Sequence, residues 1–115
     1  MTDALKTKTA QLVAAYERRL DKDKSELVSS LAAVRNGNAT NGFEIVRYIA
    51  HRLVGSAHLF GCDDLDLPAR TVEKMVDCGA DTSLIIQAVN KLVEQIDQSL
   101  LAGLEQPDWL DPHAD

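Results

Sequence analysis

Positive charge is in short supply in this chain: 12 Lys and Arg stand against 18 Asp and Glu, a net charge of −6. Nucleic-acid binding needs a basic footprint and anionic membranes attract basic surfaces, so neither is an expected partner. Aromatic residues make up only 4% of the chain, with six Gly and three Pro. Sheet proteins lean on aromatic and β-branched residues and on frequent turns, so this Ala-rich, aliphatic, turn-poor composition points to helices. Two cysteines, Cys62 and Cys78, form no CxxC pair. Both read as reduced, mostly structural thiols. No apolar run approaches the ~18 residues of a transmembrane helix. The opening MTDALKTKTAQLVAAY lacks a signal peptide's apolar core, so a soluble, cytoplasmic protein is expected.

What is present is apolar periodicity. At 115 residues, 45% of them hydrophobic, the chain can bury one real core. Thr2 or Asp3 can cap a first helix beginning near Ala4. Leu5, Leu12, Tyr16, Leu20, Leu27, Leu31 and Val34 recur on one helical face. The charged stretch Asp21 to Glu26 reads either as an exposed polar turn of one long helix or as a break. One main helix with a loosely attached first turn or two is the preferred reading. Arg35 to Thr40 is the clearest loop, with Gly37 supplying a left-handed terminator. Asn41 followed by Glu44 resembles a capping box, which starts the second helix near Gly42 and runs it to Phe60, with Gly61 as its stop. Asp63 or Asp64 opens a third helix with Pro68 in its first turn; Val72, Met75 and Val76 form its apolar side and Gly79 closes it. Asp81 caps a fourth helix whose stripe is Ile85, Val89, Leu92, Val93, Ile96 and Leu100. Four amphipathic helices with short connections predict an all-α, antiparallel four-helix bundle over about 4–104, with room for an extra N-terminal helical segment. The tail 105–115 completes a single domain spanning 1–115, and Trp109 and Leu110 are candidates to dock on the bundle.

The most informative stretch lies in the second helix, Ala50 to Gly61. On a helical wheel with His51 at zero, Val46, Ile49, Leu53 and Phe60 fall within about 40° of the opposite side, with Ile45 nearby. That side is core-facing. Arg47, Val54, Gly55 and His58 share the side of His51, which therefore points to solvent. Gly55, one turn beyond, costs about 1 kcal/mol relative to alanine inside a helix. A glycine there bares the backbone beside the histidine for the close approach of another molecule.

His51, Gly55, Ser56, Ala57 and Gly61 together resemble the signature of the histidine-containing phosphotransfer (HPt) domain of two-component phosphorelays. Leu65, Ala69 and Glu73 fit the family's downstream pattern of apolar and small residues leading to a glutamate. The resemblance covers most of the chain and implies a phosphocarrier without autokinase activity. His51 would accept a phosphoryl group at Nε2 from a receiver-domain aspartate and pass it to another receiver. It implies response-regulator receivers as partners, a hybrid histidine kinase's among them, with Mg²⁺ carried by the receiver and no metal or cofactor in this chain, which is expected to be monomeric. Nδ1 then needs an acceptor, which the sequence does not identify, and Glu73 reads as a structural residue. The family usually places Lys at the position of Val54. Arg47, Arg52 and His58 are the candidates to supply the missing positive charge, with Arg70 a more distant one. Tyr48, Val54, Gly55 and Leu59 are the candidate docking contacts.

Two rival readings remain at this stage. One is an HPt-like adaptor that binds without phosphotransfer. The other is a metal site of His51, His58 and Cys62, which is disfavoured because two full helical turns put the histidines about 10 Å apart.

Overall fold

The computed structural model describes residues 2–105. Four α-helices account for most of them: α1 (Thr2–Arg35), α2 (Ala39–Ser56), α3 (Asp66–Asp77) and α4 (Thr82–Ala102). Two short 3₁₀ turns, Ala57–Phe60 and Asp63–Leu65, link α2 to α3. No described residue lies in a strand, and no helix among them is long and apolar enough to cross a membrane. The expected docking of Trp109 and Leu110 falls outside the described residues.

The helices contact one another in a closed ring, α1 with α2, α2 with α3, α3 with α4 and α4 with α1. Each turns one apolar stripe inward. Leu20, Leu27 and Leu31 come from α1, Val46, Ile49, Ala50 and Leu53 from α2, Ala69 and Val72 from α3, and Ile85, Val89, Leu92 and Ile96 from α4. Fully burying one such Leu, Ile or Val stabilises the fold by about 1.5–3 kcal/mol. Helices α2 and α3 pack directly against each other, and this seam carries the site described below.

Several boundaries and positions differ from the sequence reading. The first helix is unbroken and begins at Thr2, so Asp3 sits within its first turn rather than capping it. Leu12, expected on the buried face, is 42% exposed, and Ile45, expected near the core stripe, is exposed as well. The second helix starts at Ala39, so Asn41 lies inside it and does not cap; Asn38 occupies the cap position without a side-chain hydrogen bond. The α-helix also stops earlier than expected, at Ser56. The chain tightens into the 3₁₀ turn before Gly61, at φ 75°, ends it with its N–H directed to the carbonyls of Ala57 and His58. Asp63 and Asp64 lie in the second 3₁₀ turn, so the third helix itself opens at Asp66, with Pro68 in its first turn as expected. Gly37 and Gly79 both take the left-handed conformation their roles require.

Two tertiary features had no signal in the pattern. A Cβ on Gly42 would stand 2.7 Å from Val34 Cγ2 and 2.8 Å from the backbone oxygen of Ser30, so this glycine is where α2 crosses tightly over α1. Asp23, in the stretch expected to face solvent, is 1% exposed and bonded to the Arg52 guanidinium, with Arg19 at 3.7 Å. Burial pushes its carboxyl above the ordinary range, against the downward pull of Arg52.

Candidate functional site

His51 sits in the middle of α2, with its backbone neighbour Ala50 and the residues two positions either side, Ile49 and Leu53, turned into the core. Its own side chain is 70% exposed. Nδ1 lies 2.5 Å from Oε2 of Glu73, on α3. Glu73 is only 19% exposed, so it forms the inner wall of the site and the imidazole the outer one. A carboxylate accepts a hydrogen bond and does not donate one. The pair therefore places the ring hydrogen on Nδ1 and leaves the lone pair on Nε2, the nitrogen away from the protein. Sequence reading treated Glu73 as structural; the structure makes it the acceptor of Nδ1.

One turn earlier on α2, and one turn later on α3, Arg47 is bonded through Nε to Asp77. The two pairs, His51 with Glu73 and Arg47 with Asp77, are rungs of one ladder. Moving four residues back along α2 means moving four forward along α3, so these two helices run antiparallel with a defined register. Extending that register the other way places Gly55 level with Ala69, and Val54 level with Arg70. Gly55 has nothing within 4 Å of where a Cβ would be, so the space beside His51 on that side is open. Next to the ladder an open groove of about 480 Å³ runs along α3, lined by Arg70, Glu73, Lys74, Asp77 and Cys78.

The other expected site residues divide. Arg52 turns to the opposite flank of α2, to Asp23 on α1, with its guanidinium carbon 5.3 Å from the centre of the Tyr48 ring. It is committed to a buried carboxylate rather than to the face of His51. Val54, expected as an exposed docking contact, is partly buried and packs against the core. Tyr48, 62% exposed, and Leu59 are open to solvent. His58 is exposed too, but it lies in the 3₁₀ turn after the end of α2, so it no longer follows the helical face of His51.

Ser56 joins the site's far end to α1. Its hydroxyl lies 2.8 Å from the Tyr16 hydroxyl and donates to the Arg52 carbonyl at 3.0 Å, while Tyr16 stacks on Phe60 with ring centres 4.2 Å apart. Burial raises the Tyr16 phenol above its usual range. Of the two thiols, Cys62 is buried and its pKa is raised by that burial, whereas Cys78 is exposed beside the α3 groove and is not a core thiol. Among the described residues no group of three His, Cys, Asp or Glu side chains is placed to hold a metal ion, and the set His51, His58 and Cys62 is not brought together.

The arrangement is thus a solvent-facing imidazole with Nδ1 clamped by Glu73, between the ion-paired Arg47 one turn before it and the open Gly55 one turn after it. Compared with known proteins, the chain matches no protein-family model, no curated protein and no solved structure.

Proposed function

We propose that this chain is a phosphorelay phosphocarrier with an HPt-like antiparallel four-helix bundle, accepting a phosphoryl group on His51 from a receiver-domain aspartate and handing it to a second receiver. The observation that carries the proposal is the Nδ1–Glu73 bond on an otherwise exposed histidine. Nucleophilic attack needs a lone pair at the attacking nitrogen, and an acceptor oriented at the other nitrogen selects the tautomer that has it there.

The step balances without an added reagent. The Nε2 lone pair forms the N–P bond as the P–O bond to the receiver's aspartate breaks, and the aspartate departs as a carboxylate with the bonding pair. Positive charge grows on the ring during attack, and the Glu73 carboxylate on Nδ1 stabilises it. The transition state is loose and highly charged, so positioning and electrostatics supply most of the catalysis. The divalent ion this chemistry calls for belongs to the receiver. Tyr48 and Leu59, both exposed, serve as apolar docking contacts, and Gly55 admits the receiver's loop.

The test is transfer from a phosphorylated receiver panel to wild type, His51→Gln and Glu73→Gln. Wild type takes up an acid-labile, base-stable label; His51→Gln takes up none while unfolding at the wild-type midpoint; Glu73→Gln keeps an acceptor oxygen for Nδ1 but is slowed by about tenfold, because the positive charge growing on the ring loses its carboxylate. Receivers that bind wild type yet transfer nothing to it would favour the adaptor reading. A label retained by His51→Gln would place the chemistry elsewhere.

A further inference from the structure

Phosphohistidine brings two negative charges onto a surface where the nearest fixed carboxylate, Glu73, is already negative. A cation must meet them, and the helix that carries His51 does not provide a free one. Arg52 is turned to Asp23 and Val54 is apolar. Arg47 is on the right face, but its bond to Asp77 ties α2 to α3.

Arg70 differs on three counts. It sits three residues before Glu73 on α3, about 4.5 Å along the axis, which is within the sweep of an arginine side chain. It lies level with Val54 and beside the opening over Gly55, the side from which a phosphoryl group can approach. Its partner is Asp66, one turn away on the same helix at 2.8 Å, with both side chains well exposed at 61% and 42%. Such a same-helix surface pair is only weakly stabilising, so releasing it costs little and separates no helices. Arg70 and Glu73 also line the same open groove on α3, which places the guanidinium beside the site.

We propose that Arg70, held in reserve on Asp66, swings to the phosphoryl group on Nε2 of His51 and supplies from α3 the positive charge that α2 lacks at Val54. This rests on His51 being the phosphoryl acceptor, but it can be tested without any receiver. Phosphoramidate is the probe. The Nε2 lone pair forms the N–P bond, the probe's own P–N bond breaks, and its nitrogen leaves as ammonia after taking a proton from water.

The intact protein is treated with phosphoramidate. Mass spectrometry follows the gain of one phosphoryl group, ³¹P NMR identifies the ring nitrogen, and removal of the reagent starts the decay measurement. Wild type is expected to label on His51. Arg70→Ala should lose the phosphoryl group about three- to tenfold faster, the scale of one charge-assisted hydrogen bond at a solvated site. Arg70→Lys should restore most of the lifetime and Asp66→Asn should match or exceed wild type, while circular dichroism shows all variants equally helical. Arg70→Ala with the wild-type lifetime, or loss of lifetime in Arg70→Ala that Arg70→Lys does not restore, overturns the assignment and leaves the phosphocarrier reading standing. Failure of His51 to label in wild type overturns the assignment together with its premise.

Discussion

At the scale of single residues, the largest departure from expectation is Asp23. A carboxylate amid Asp21, Lys22 and Lys24 carries every mark of a solvated position, yet α1 turns it inward to the Arg52 guanidinium. Its second oxygen has no partner, so removing the charge has two opposed effects. The desolvation of one carboxylate is relieved, and the half-buried Arg52 loses its counter-charge. Asp23→Ala is expected to destabilise by about 1–3 kcal/mol, read from the urea midpoint, because the largely buried Arg52 is left without its counter-charge. The pH dependence has a definite sign. Burial raises the folded-state pKa above the unfolded one, so between the two values the folded state holds more protons and stability falls as pH rises. Wild type should therefore gain on Asp23→Asn as the pH is lowered through the carboxylate range. Wild type losing stability relative to Asp23→Asn over the same range would show the Arg52 pairing to dominate instead.

At the scale of elements, α2 carries two glycines with opposite duties. Gly42 is buried at the crossing with α1, where a Cβ would meet the Ser30 backbone; Gly55 is exposed, with open space where a Cβ would go. Gly42→Ala should destabilise by about 1–3 kcal/mol, as the two helices are forced apart. Gly55→Ala should instead raise stability by about 0.5–1 kcal/mol, the ordinary gain in helix propensity. Gly55→Leu should keep the fold and hinder receiver docking. Thermal unfolding of the three variants, with receiver transfer rates for the last, checks the contrast. The wheel placed Gly55 outward and Val46, Ile49 and Leu53 inward, because both are properties of one helix with a clear stripe. It could not distinguish the two glycines as packing partners, because what Gly42 touches lies on another helix. The start of α2 was misread for a local reason: Asn41 and Glu44 imitate a capping box, while Ala39 and Thr40 already continue the helix. Glu73 eluded assignment because its meeting with His51 depends on the register between α2 and α3, which no single-helix periodicity records. The terminators Gly37, Gly61 and Gly79 were legible because each must take a left-handed backbone.

At the scale of the whole molecule, the described chain measures 54 × 23 × 20 Å. A 34-residue helix is about 51 Å long, so α1 accounts for the long dimension by itself. The 18 residues of α2 and the 21 of α4 reach only about half to two-thirds of that length. The core-facing positions of α1 are buried from Leu20 to Val34, whereas before them Thr9 is buried and Leu5, Val13 and Tyr16 are partly covered. Function, as proposed, is confined to the other side of the ring, where α2 and α3 present His51.

The excess length of α1 also governs how the molecule tumbles. An object more than twice as long as it is wide spins readily about its long axis and turns end over end slowly. Helical N–H bonds lie nearly along their helix axis, so the amides of α1 are reoriented mainly by the slow motion. Backbone ¹⁵N relaxation should give α1 amides a higher ratio of transverse to longitudinal rates than rigid amides that lie across the axis. A uniform ratio throughout would mean that the first turns of α1 do not project as a rigid rod in solution.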